Sequence, residues 1–444
     1  MSSPHPFTLS AFLIALLSFG PAAFAEEPPA KEPGKSNSRP PNIVLILADD
    51  LGFECLGCNG GKSYQTPNID ALAATGVRFT HCYATPAGPS SRAELLTGRY
   101  GFRTGWTGHI ENSRFFLDSS RERTLAHRLK TAGYVTGVSG KWQLGDFVVH
   151  RNHPFDCGFD EWNLWATFVA GKPTSRYWNP VYWRDGAPRE GTSGKYGPDV
   201  SCDFVIDFIS RHRNEPFFLY YPTTLVHSPY DRTPGRRVDR NFAFNRDQVG
   251  EQYFASMVSY LDHIVGRIVT TIDELRLSDQ TLILFTSDNG CDRGIRSRIT
   301  TDSGETVVQG AKLTTTTAGF RVPLIARGFG VSSPGRTSED LVDFTDFLPT
   351  LAEVAGTKRP EDTDTDGKSF LSILRNQEGP RRTWVYSQLG KVRLVRDQRY
   401  VLFDDGRLFD VATDPQQQRP LVAGTDLDAD EARLRLTEAL DLLE

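Results

Sequence analysis

Two pairs of residues with oxygen ligands in their side chains each follow an apolar run of the sequence. Asp49 and Asp50 form the first pair, and Asp288 and Asn289 form the second. No cysteine or histidine lies among them, so the set suits Ca²⁺ or Mg²⁺ rather than zinc. Aspartate is also common in solvated turns. The position after buried strands, where open α/β sheets bind ligands, favours a metal site.

Basic residues that could surround such a metal are spread along the chain: Arg92, Lys141, His227 and Lys312. Three fixed cations and an imidazole beside a divalent metal would form a pocket for a tetrahedral dianion. A single histidine such as His227 is more often structural than catalytic. The joint occurrence of these residues with the two acidic pairs is what favours a site.

A turn with two prolines and a glycine leads into a predicted helix within Thr85–Arg99. Ser90 or Ser91 is expected to cap this helix, whose N-terminus can bind an anion through its backbone N–H groups. Arg92 adds a planar guanidinium with several donors at the same place. The stretch therefore predicts an oxyanion pocket.

Continuous apolar runs alternate with helical patterns through most of the chain. Such runs are typical of strands buried on both faces of a parallel sheet. We predict an α/β fold with a large, mostly parallel mixed sheet, helices on its flanks and a site along one edge. Thr66 is expected to cap a helix that has Pro67 in its first turn, and a second helix is predicted over Glu251–Leu275. The predicted strands are Asn42–Leu47, Tyr134–Ser139, Phe217–Tyr221, Thr281–Phe285 and Val322–Ala326.

The character of the sequence changes after about Pro380. Short apolar runs around the turn Asp405-Gly406 predict antiparallel hairpins, and a helix is expected from about Asp428. We therefore divide the chain into a large domain over 41–379 and a smaller C-terminal subdomain, an antiparallel sheet plus a helix, over 380–444.

The stretch from Cys157 to Arg189 is rich in tryptophan and tyrosine and has the composition of a loop. Its aromatic rings could form the wall of a substrate cleft, for instance by stacking on sugars. They could equally pack a long surface loop. The sequence leaves both interpretations open.

The first 40 residues predict export. Residues 1–25 combine a short apolar run with a small-residue pattern before Glu26 and predict a signal peptide, and residues 26–40 predict a disordered linker. The apolar run is short for a bilayer, so no membrane span is expected in the mature chain. We expect the mature protein in the periplasm or outside the cell.

The composition narrows the remaining classes of protein. The 444 residues are 39% hydrophobic and 24% charged with a net charge of −5, which predicts a soluble globular protein with no nucleic-acid partner. The six cysteines are too few for a disulfide scaffold and too scattered for a zinc site, so buried or occasionally bridged thiols are expected. No pattern indicates the oligomeric state.

The motifs and their order resemble the sulfatase family, of the arylsulfatase type, within the alkaline phosphatase superfamily. The resemblance extends over nearly the whole mature chain and implies an alkaline-phosphatase-like fold. The matching segments are Pro41–Val44, Ala48–Gly52, Thr66–Asp70, Ser91–Arg92, Leu95–Arg99, Gly140–Trp142, Thr286–Gly290, Arg321–Pro323, Asp346–Leu351, Leu408–Asp410 and Asp414–Pro415.

The resemblance implies a bound Ca²⁺, with Mg²⁺ as the second choice, held by the two oxygen-bearing pairs. It also implies that the four basic residues contact the sulfate group or the nucleophile. In the family, a cysteine or serine that begins the motif Cys-x-Pro-Ser-Arg is oxidised to formylglycine, and the hydrate of its aldehyde attacks sulfur. A histidine then removes a proton from the hydrate to expel sulfate. The implied ligands are sulfated small molecules or glycans.

The sequence departs from the family at the nucleophile. Counting back from Arg92, Gly88 stands at the nucleophile position and Ser90 at the proline position. Glycine has no Cβ, so formylglycine cannot form at Gly88. Gln143 replaces the histidine of the family motif Gly-Lys-Trp-His-Leu-Gly, and glutamine does not transfer protons at neutral pH. Thr317 stands where the family has a glutamate before Arg-Val-Pro.

Four functions are compatible with this pattern. The protein binds sulfated ligands without turning them over, or it hydrolyses them with a metal-bound water or the hydroxyl of Ser90 or Ser91. Because Ca²⁺ lowers the pKa of its water far less than zinc does, we expect hydrolysis to be lost or much weakened. A phosphoesterase with two zinc ions is disfavoured by the shortage of histidine. A purely structural protein would bind no metal.

Overall fold

The central strand of the fold is β1, and all seven of its residues, Asn42–Ala48, are buried. The computed structural model describes residues 1, 39–108, 115–235, 251–301, 304–357 and 365–443. Within these residues ten strands form one sheet, and β1 lies in its interior. The continuous apolar sequence of β1 is what a strand covered on both faces requires.

The main sheet is mixed and mostly parallel, as predicted. Its strand order is β14-β2-β13-β10-β1-β9-β3-β4-β7-β8. Strands β10, β1, β9, β3 and β4 are parallel neighbours, whereas β13 runs antiparallel to both β10 and β2. In chain order the strands are β1 (Asn42–Ala48), β2 (Val77–Tyr83), β3 (Val135–Gly140), β4 (Glu161–Trp165), β5 (Phe168–Val169), β6 (Lys172–Pro173), β7 (Tyr182–Arg184), β8 (Ala187–Pro188), β9 (Phe217–Pro222), β10 (Thr281–Ser287), β11 (Arg296–Thr301), β12 (Gly304–Gln309), β13 (Arg321–Gly328), β14 (Arg336–Asp343), β15 (Val385–Leu389), β16 (Val392–Arg396), β17 (Tyr400–Phe403) and β18 (Leu408–Asp410).

Helices cover both faces of the main sheet. Side chains of β1 alternate between two hydrophobic cores, as the two-residue period of a strand requires. Ile43, Leu45 and Leu47 pack with residues of α2 and α9, and Val44 and Ile46 pack with residues of α6 and α7. The helices are α1 (Pro67–Ala74), α2 (Gly88–Thr97), α3 (Gly101–Thr104), α4 (Leu125–Lys130), α5 (His153–Asp156), α6 (Gly197–Arg211), α7 (Phe254–Glu274), α8 (Thr317–Phe320), α9 (Phe347–Val354), α10 (Leu371–Leu374) and α11 (Leu427–Asp441).

Two predictions about the sheet were incomplete. No strand was predicted at β2, because Val77–Tyr83 mixes polar and charged residues with apolar ones, yet it pairs with β13 and β14. The stretch predicted as an aromatic loop contains β4 and β7, which extend the main sheet. Trp162 and Tyr182 are buried there, so most of its aromatic rings pack the interior.

The predicted helix caps were also incorrect in detail. α1 begins after Thr66 with Pro67 in its first turn, but the Thr66 hydroxyl accepts from the backbone of Gly57 and donates to Asp70 instead of capping. The helix predicted over Glu251–Leu275 consists of a 3-10 turn followed by α7. In both places the element is present and only its terminal hydrogen bonds differ.

The C-terminal antiparallel sheet and helix are present. Strands β15, β16, β17 and β18 pair in sequence order, and α11 packs on them. The domain boundary at 379/380 stays a prediction. The signal peptide and almost all of the linker fall on residues 2–38, outside the described part of the chain.

Two further properties concern the described residues as a whole. No helix there is both long and apolar enough to cross a bilayer. The six cysteines are free thiols, five of them buried, and the sulfur atoms of Cys55 and Cys291 lie 3.2 Å apart.

A buried ion pair ties the C-terminal sheet to the main domain, and we expect its loss to be costly. Arg382, just before β15, donates to both carboxylate oxygens of Asp346, at the start of α9, and both side chains are 2% exposed. Asp346→Ala leaves the guanidinium buried without its partner and should lower the free energy of unfolding by about 3–5 kcal/mol. The measurement is urea denaturation.

The matched control for this variant is Asp405→Ala, which breaks an exposed pair with Arg407. It should change the free energy of unfolding by less than about 1 kcal/mol. Equal losses in the two variants would contradict the assigned role of Arg382 and Asp346.

Candidate functional site

Parallel strands bring most of the predicted site residues to one edge of the sheet. Because β10, β1, β9 and β3 are neighbours that run in the same direction, the loops after their last residues lie side by side. Asp49 and Asp50 follow β1, Asp288 and Asn289 follow β10, and Lys141 follows β3.

The remaining basic residues reach the same place from other elements. His227 lies on the loop after β9, Arg92 lies in the second turn of α2, and Lys312 lies between β12 and α8. The structure therefore brings together the acidic and basic residues that the sequence singled out.

Two lysines form short ion pairs with the aspartates after β1. The Nζ atom of Lys141 lies 2.9 and 2.7 Å from the two carboxylate oxygens of Asp49. The Nζ atom of Lys312 lies 2.8 Å from the carboxylate oxygens of Asp50. Both aspartates are buried, so these pairs are screened little by solvent.

Arg92 and the backbone connect the third carboxylate to the first two. The Nη2 atom of Arg92 donates to Asp288 at 2.8 Å and lies 3.6 Å from Asp49. The backbone N–H of Asp50 donates to Asp288 at 3.1 Å, and the Nδ2 atom of Asn289 donates to Asp50 at 2.8 Å. Three carboxylates and three fixed cations thus form one buried cluster whose formal charges cancel.

The charges of this cluster are not fully stabilised by one another. Burial and the neighbouring Asp49 raise the pKa of Asp288 to about 6. Burial likewise raises the pKa of Asp50 and lowers the pKa of Lys141 to about 8. Burial also opposes ionisation of Asp49, but Lys141 and the other nearby positive charges outweigh it and lower its pKa. An additional cation among the carboxylates would favour their ionised forms.

One orphaned atom indicates where such a cation fits. Within the described structure, the buried Oδ1 atom of Asn289 has no hydrogen-bond partner. Ligand atoms of Asp49, Asp50 and His227 lie within 4.8 Å of one another. Carboxylate and amide oxygens without a thiolate match the preference of Ca²⁺. The residues present therefore fit a calcium ion.

The imidazole of His227 is held in one tautomer. Its Nδ1 atom lies 2.6 Å from the carbonyl oxygen of Ser228, which only accepts, so Nδ1 carries the proton. Burial and the charges of Arg176 and Lys141 hold the pKa of His227 well below its usual value. The neutral ring therefore presents an unprotonated Nε2, which lies 3.7 Å from Asp50.

Gly88 is buried among these groups, at the first residue of α2. A Cβ atom built on Gly88 would lie 2.4 Å from the Oδ2 atom of Asp288 and 3.2 Å from the Oε1 atom of Gln143. The Oε1 atom of Gln143 is buried and, in the described structure, has no hydrogen-bond partner. The Asp288 carboxylate therefore lies where a side chain at position 88 would begin.

The serine hydroxyls near Gly88 are engaged elsewhere. Ser90 donates to the carbonyl oxygen of Gly108 at 3.1 Å, and the Ser91 hydroxyl bonds to Thr85. Neither serine caps α2, since the helix begins earlier, after Ala87. Thr317, at the position of the family glutamate, accepts a hydrogen bond from Arg396 at 3.1 Å.

A cavity of about 420 Å³ opens beside the cluster. Lys141, Gln143 and His227 line it from the sheet edge, and Trp165 and Phe168 line it from the aromatic stretch. A minority of the aromatic residues thus form a cleft wall, while most pack the interior. The cavity is within the usual size range of small-molecule sites.

Arg176 also lines this cavity and was not predicted from the sequence. Arg176 follows no motif and lies between Ser175 and Tyr177 in the stretch treated as a loop. The same stretch holds three other basic residues, Lys172, Arg184 and Arg189, so no local signal in the sequence sets Arg176 apart. Asp146, another lining residue, likewise lies in no recognisable pattern.

Solved structures share this fold. A Bacteroides thetaiotaomicron sulfatase from work on glycosaminoglycan metabolism has a TM-score of 0.71 and 26% identity, over 91% of this chain and 99% of that chain. A sulfatase from Pseudoalteromonas sp. has a TM-score of 0.70 and 23% identity, over 91% of this chain and 90% of its own. The predicted fold class is confirmed.

Sequence comparison gives the same relationship. An N-acetylgalactosamine-6-O-sulfatase of Bacteroides thetaiotaomicron is 32% identical over 420 residues, covering 79% of this chain and 80% of the relative. Human arylsulfatase A is 34% identical over 383 residues, covering 77% of this chain and 69% of the relative. The sulfatase family profile matches residues 41–357. The chain therefore belongs to the sulfatase family.

Proposed function

We propose that this protein is an exported sulfatase homologue that binds sulfated glycans at a Ca²⁺-dependent site and hydrolyses their sulfate esters weakly or not at all. The observation that carries the proposal is the environment of Gly88. Gly88 lies against the Asp288 carboxylate, which is paired with Arg92, and against Gln143, but glycine supplies no atom that could attack sulfur.

Ion binding and anion binding are complementary in this proposal. Asp49, Asp50, Asp288 and Asn289 would hold Ca²⁺, which supplies positive charge for an oxygen of the sulfate group. Because the three carboxylates and three fixed cations cancel, a divalent ion leaves an excess of positive charge in a buried place. An anionic sulfate ester offsets that excess.

His227 can accept a proton in the proposed site, but this chain lacks the hydrate that would donate that proton in the family reaction. Its Nε2 atom is unprotonated and faces the cluster. A hydrate at position 88, whose proton a base would remove, cannot form on glycine. Gln143, beside Gly88, has no titratable proton. The proton-transfer groups of the family reaction are therefore incomplete.

Alternative sources of a nucleophile are weak. The hydroxyls of Ser90 and Ser91 are bonded to Gly108 and Thr85, and moving either would break those bonds. A two-zinc phosphoesterase would need several histidines at the cluster, and in the described residues His227 is the histidine found there. These contacts favour binding over both forms of hydrolysis.

The ligand class is argued from the relatives and the cavity. A relative that is 32% identical to this chain over 420 residues is named an N-acetylgalactosamine-6-O-sulfatase. The cavity beside the cluster is large enough for a sugar and has Trp165 and Phe168 in its wall. Aromatic rings are suited to stacking on sugars. We therefore take sulfated N-acetylhexosamines as the first ligands to test.

Calcium should stabilise the protein through the acidic cluster. Added Ca²⁺ at 100 times its Kd is expected to raise the free energy of unfolding by about 2.7 kcal/mol. Mg²⁺ should stabilise less. In Asp50→Asn the effect should be reduced or lost, whereas Asp405→Asn, at an exposed hairpin, should keep it. Isothermal titration measures Ca²⁺ affinity, and thermal unfolding measures the stabilisation by Ca²⁺, in the wild type and in each variant. A wild type that shows no response to Ca²⁺ in either measurement would rule out this metal site.

Sulfated ligand should bind in the presence of Ca²⁺. We expect N-acetylgalactosamine 6-sulfate to bind the Ca²⁺-loaded wild type and unsulfated N-acetylgalactosamine not to bind at the same concentration. Lys312→Met removes one cation while retaining most of the side-chain length, and should weaken binding about 10-fold or more. Calorimetry measures each affinity. Equal affinity for the two sugars would contradict sulfate recognition.

Restoring the nucleophile should restore hydrolysis. We expect little or no sulfate release by the wild type, and much faster release by Gly88→Cys/Ser90→Pro/Gln143→His co-expressed with a formylglycine-generating enzyme. Ser90→Pro completes the modification motif, and proline is tolerated in the first turn of α2. Mass spectrometry of the peptide that contains position 88 shows whether the introduced cysteine was converted to formylglycine. A variant that was not modified can therefore be distinguished from one that was modified but is inactive.

The control for the restored enzyme is Gly88→Ala, which introduces the Cβ atom beside Asp288 without an aldehyde. It should bind Ca²⁺ more weakly or equally, and it should release no sulfate. Turnover by the unaltered protein within the usual enzyme range of about 1–1,000 s⁻¹ would refute the loss of hydrolysis.

A further inference from the structure

Arg176 lies over an aromatic ring at the wall of the cavity. Its guanidinium carbon lies 4.8 Å from the ring centre of Trp165, which orients the cation by stacking. It lines the cavity together with Lys141, Gln143 and His227. The cation therefore lies beside the proposed sulfate site without being part of the acidic cluster.

Arg176 lacks the partners that the other cations of the site have. Arg92, Lys141 and Lys312 each form an ion pair with an aspartate. Within the described residues, the guanidinium of Arg176 forms no ion pair and donates no hydrogen bond, and its Nη1 atom is buried without a partner. Leaving a buried donor unpaired is unfavourable, and more so for a charged group.

The carboxylate that lines the described cavity does not neutralise this charge. Asp146 also lines the cavity, but its Oδ1 atom accepts from the backbone N–H of Val148 and it forms no ion pair with Arg176. The positive charge of Arg176 contributes to the lowered pKa values of His227 and Lys141. Its electrostatic effect therefore reaches the residues of the candidate site. The cavity therefore offers a second cationic position.

We propose that Arg176 binds a second anionic substituent of the ligand, a carboxylate or a further sulfate, beside the sulfate ester held at the acidic cluster. This inference rests on the proposed function, because it takes the first sulfate to lie near Lys141 and His227. A guanidinium that lies over the Trp165 ring can still donate two parallel hydrogen bonds to a carboxylate or sulfate. The ligand is then a saccharide with at least two anionic groups.

The test compares ligands that differ in one charge. The reference is N-acetylgalactosamine 6-sulfate. The carboxylate ligand is the disaccharide of glucuronic acid and N-acetylgalactosamine 6-sulfate, with its methyl ester as a control of the same size. The second-sulfate ligand is N-acetylgalactosamine 4,6-disulfate. Calorimetry on the full-length protein with Ca²⁺ gives each Kd.

The matched variants separate charge from packing. Arg176→Met removes the charge and keeps an apolar side chain against Trp165. Arg184→Met is the control, since Arg184 also stacks on an aromatic ring, Phe204 at 5.1 Å, but does not line the cavity. Thermal unfolding checks that both variants fold.

We expect the wild type and Arg184→Met to bind one of the doubly charged ligands about 10- to 100-fold more tightly than the reference or the methyl ester. In Arg176→Met this preference should disappear, while affinity for the reference stays within about 3-fold. The preferred ligand identifies the second anion as carboxylate or sulfate. A preference that persists in Arg176→Met, or is absent from the wild type while the reference binds, overturns the role of Arg176. Failure of the reference itself to bind overturns the proposed function and this inference with it.

Discussion

The burial of three carboxylates at one edge of the sheet is the constraint on which the rest of the structure depends. An unpaired buried ion costs several kcal/mol, so each aspartate needs a partner of opposite charge. Lys141 comes from β3, Arg92 from α2 and Lys312 from the segment before α8, and each must reach the same point. The parallel order of β10, β1, β9 and β3 makes this convergence possible.

The cluster gives its charged residues a structural role that does not depend on catalysis. Arg92 and Asp288 are bonded to each other and so help to hold the start of α2 against β10. Each of the three cations also pairs with a buried carboxylate that would otherwise destabilise the fold. Under the proposed function, Gly88 removes the nucleophile, and its charged neighbours still stabilise the fold.

Much of the fold was predictable because buried parallel strands leave a plain pattern. β1, β9 and β10 are largely continuous apolar runs, and an aspartate directly follows both β1 and β10. β2 was not predictable in this way, since an alternating, partly polar strand is recognised only by its neighbours. Arg176 could not be assigned either, because its position depends on how the aromatic stretch folds over the sheet edge and not on local spacing. The acidic and basic residues of the cluster were identified from sequence, and their metal and sulfate roles stay predictions.

The glycine at position 88 has a consequence for affinity. In an enzyme, contacts that stabilise the bound substrate more than the transition state raise the activation free energy of the chemical step. Very tight substrate binding therefore does not increase the rate of an enzyme. A receptor has no such limit. Under the proposed function the site has no chemical step to complete, so every contact would lengthen the residence time of the ligand, which would dissociate intact. The property that selection can act on is then the dissociation rate, and the protein would retain or sense its sulfated ligand instead of consuming it.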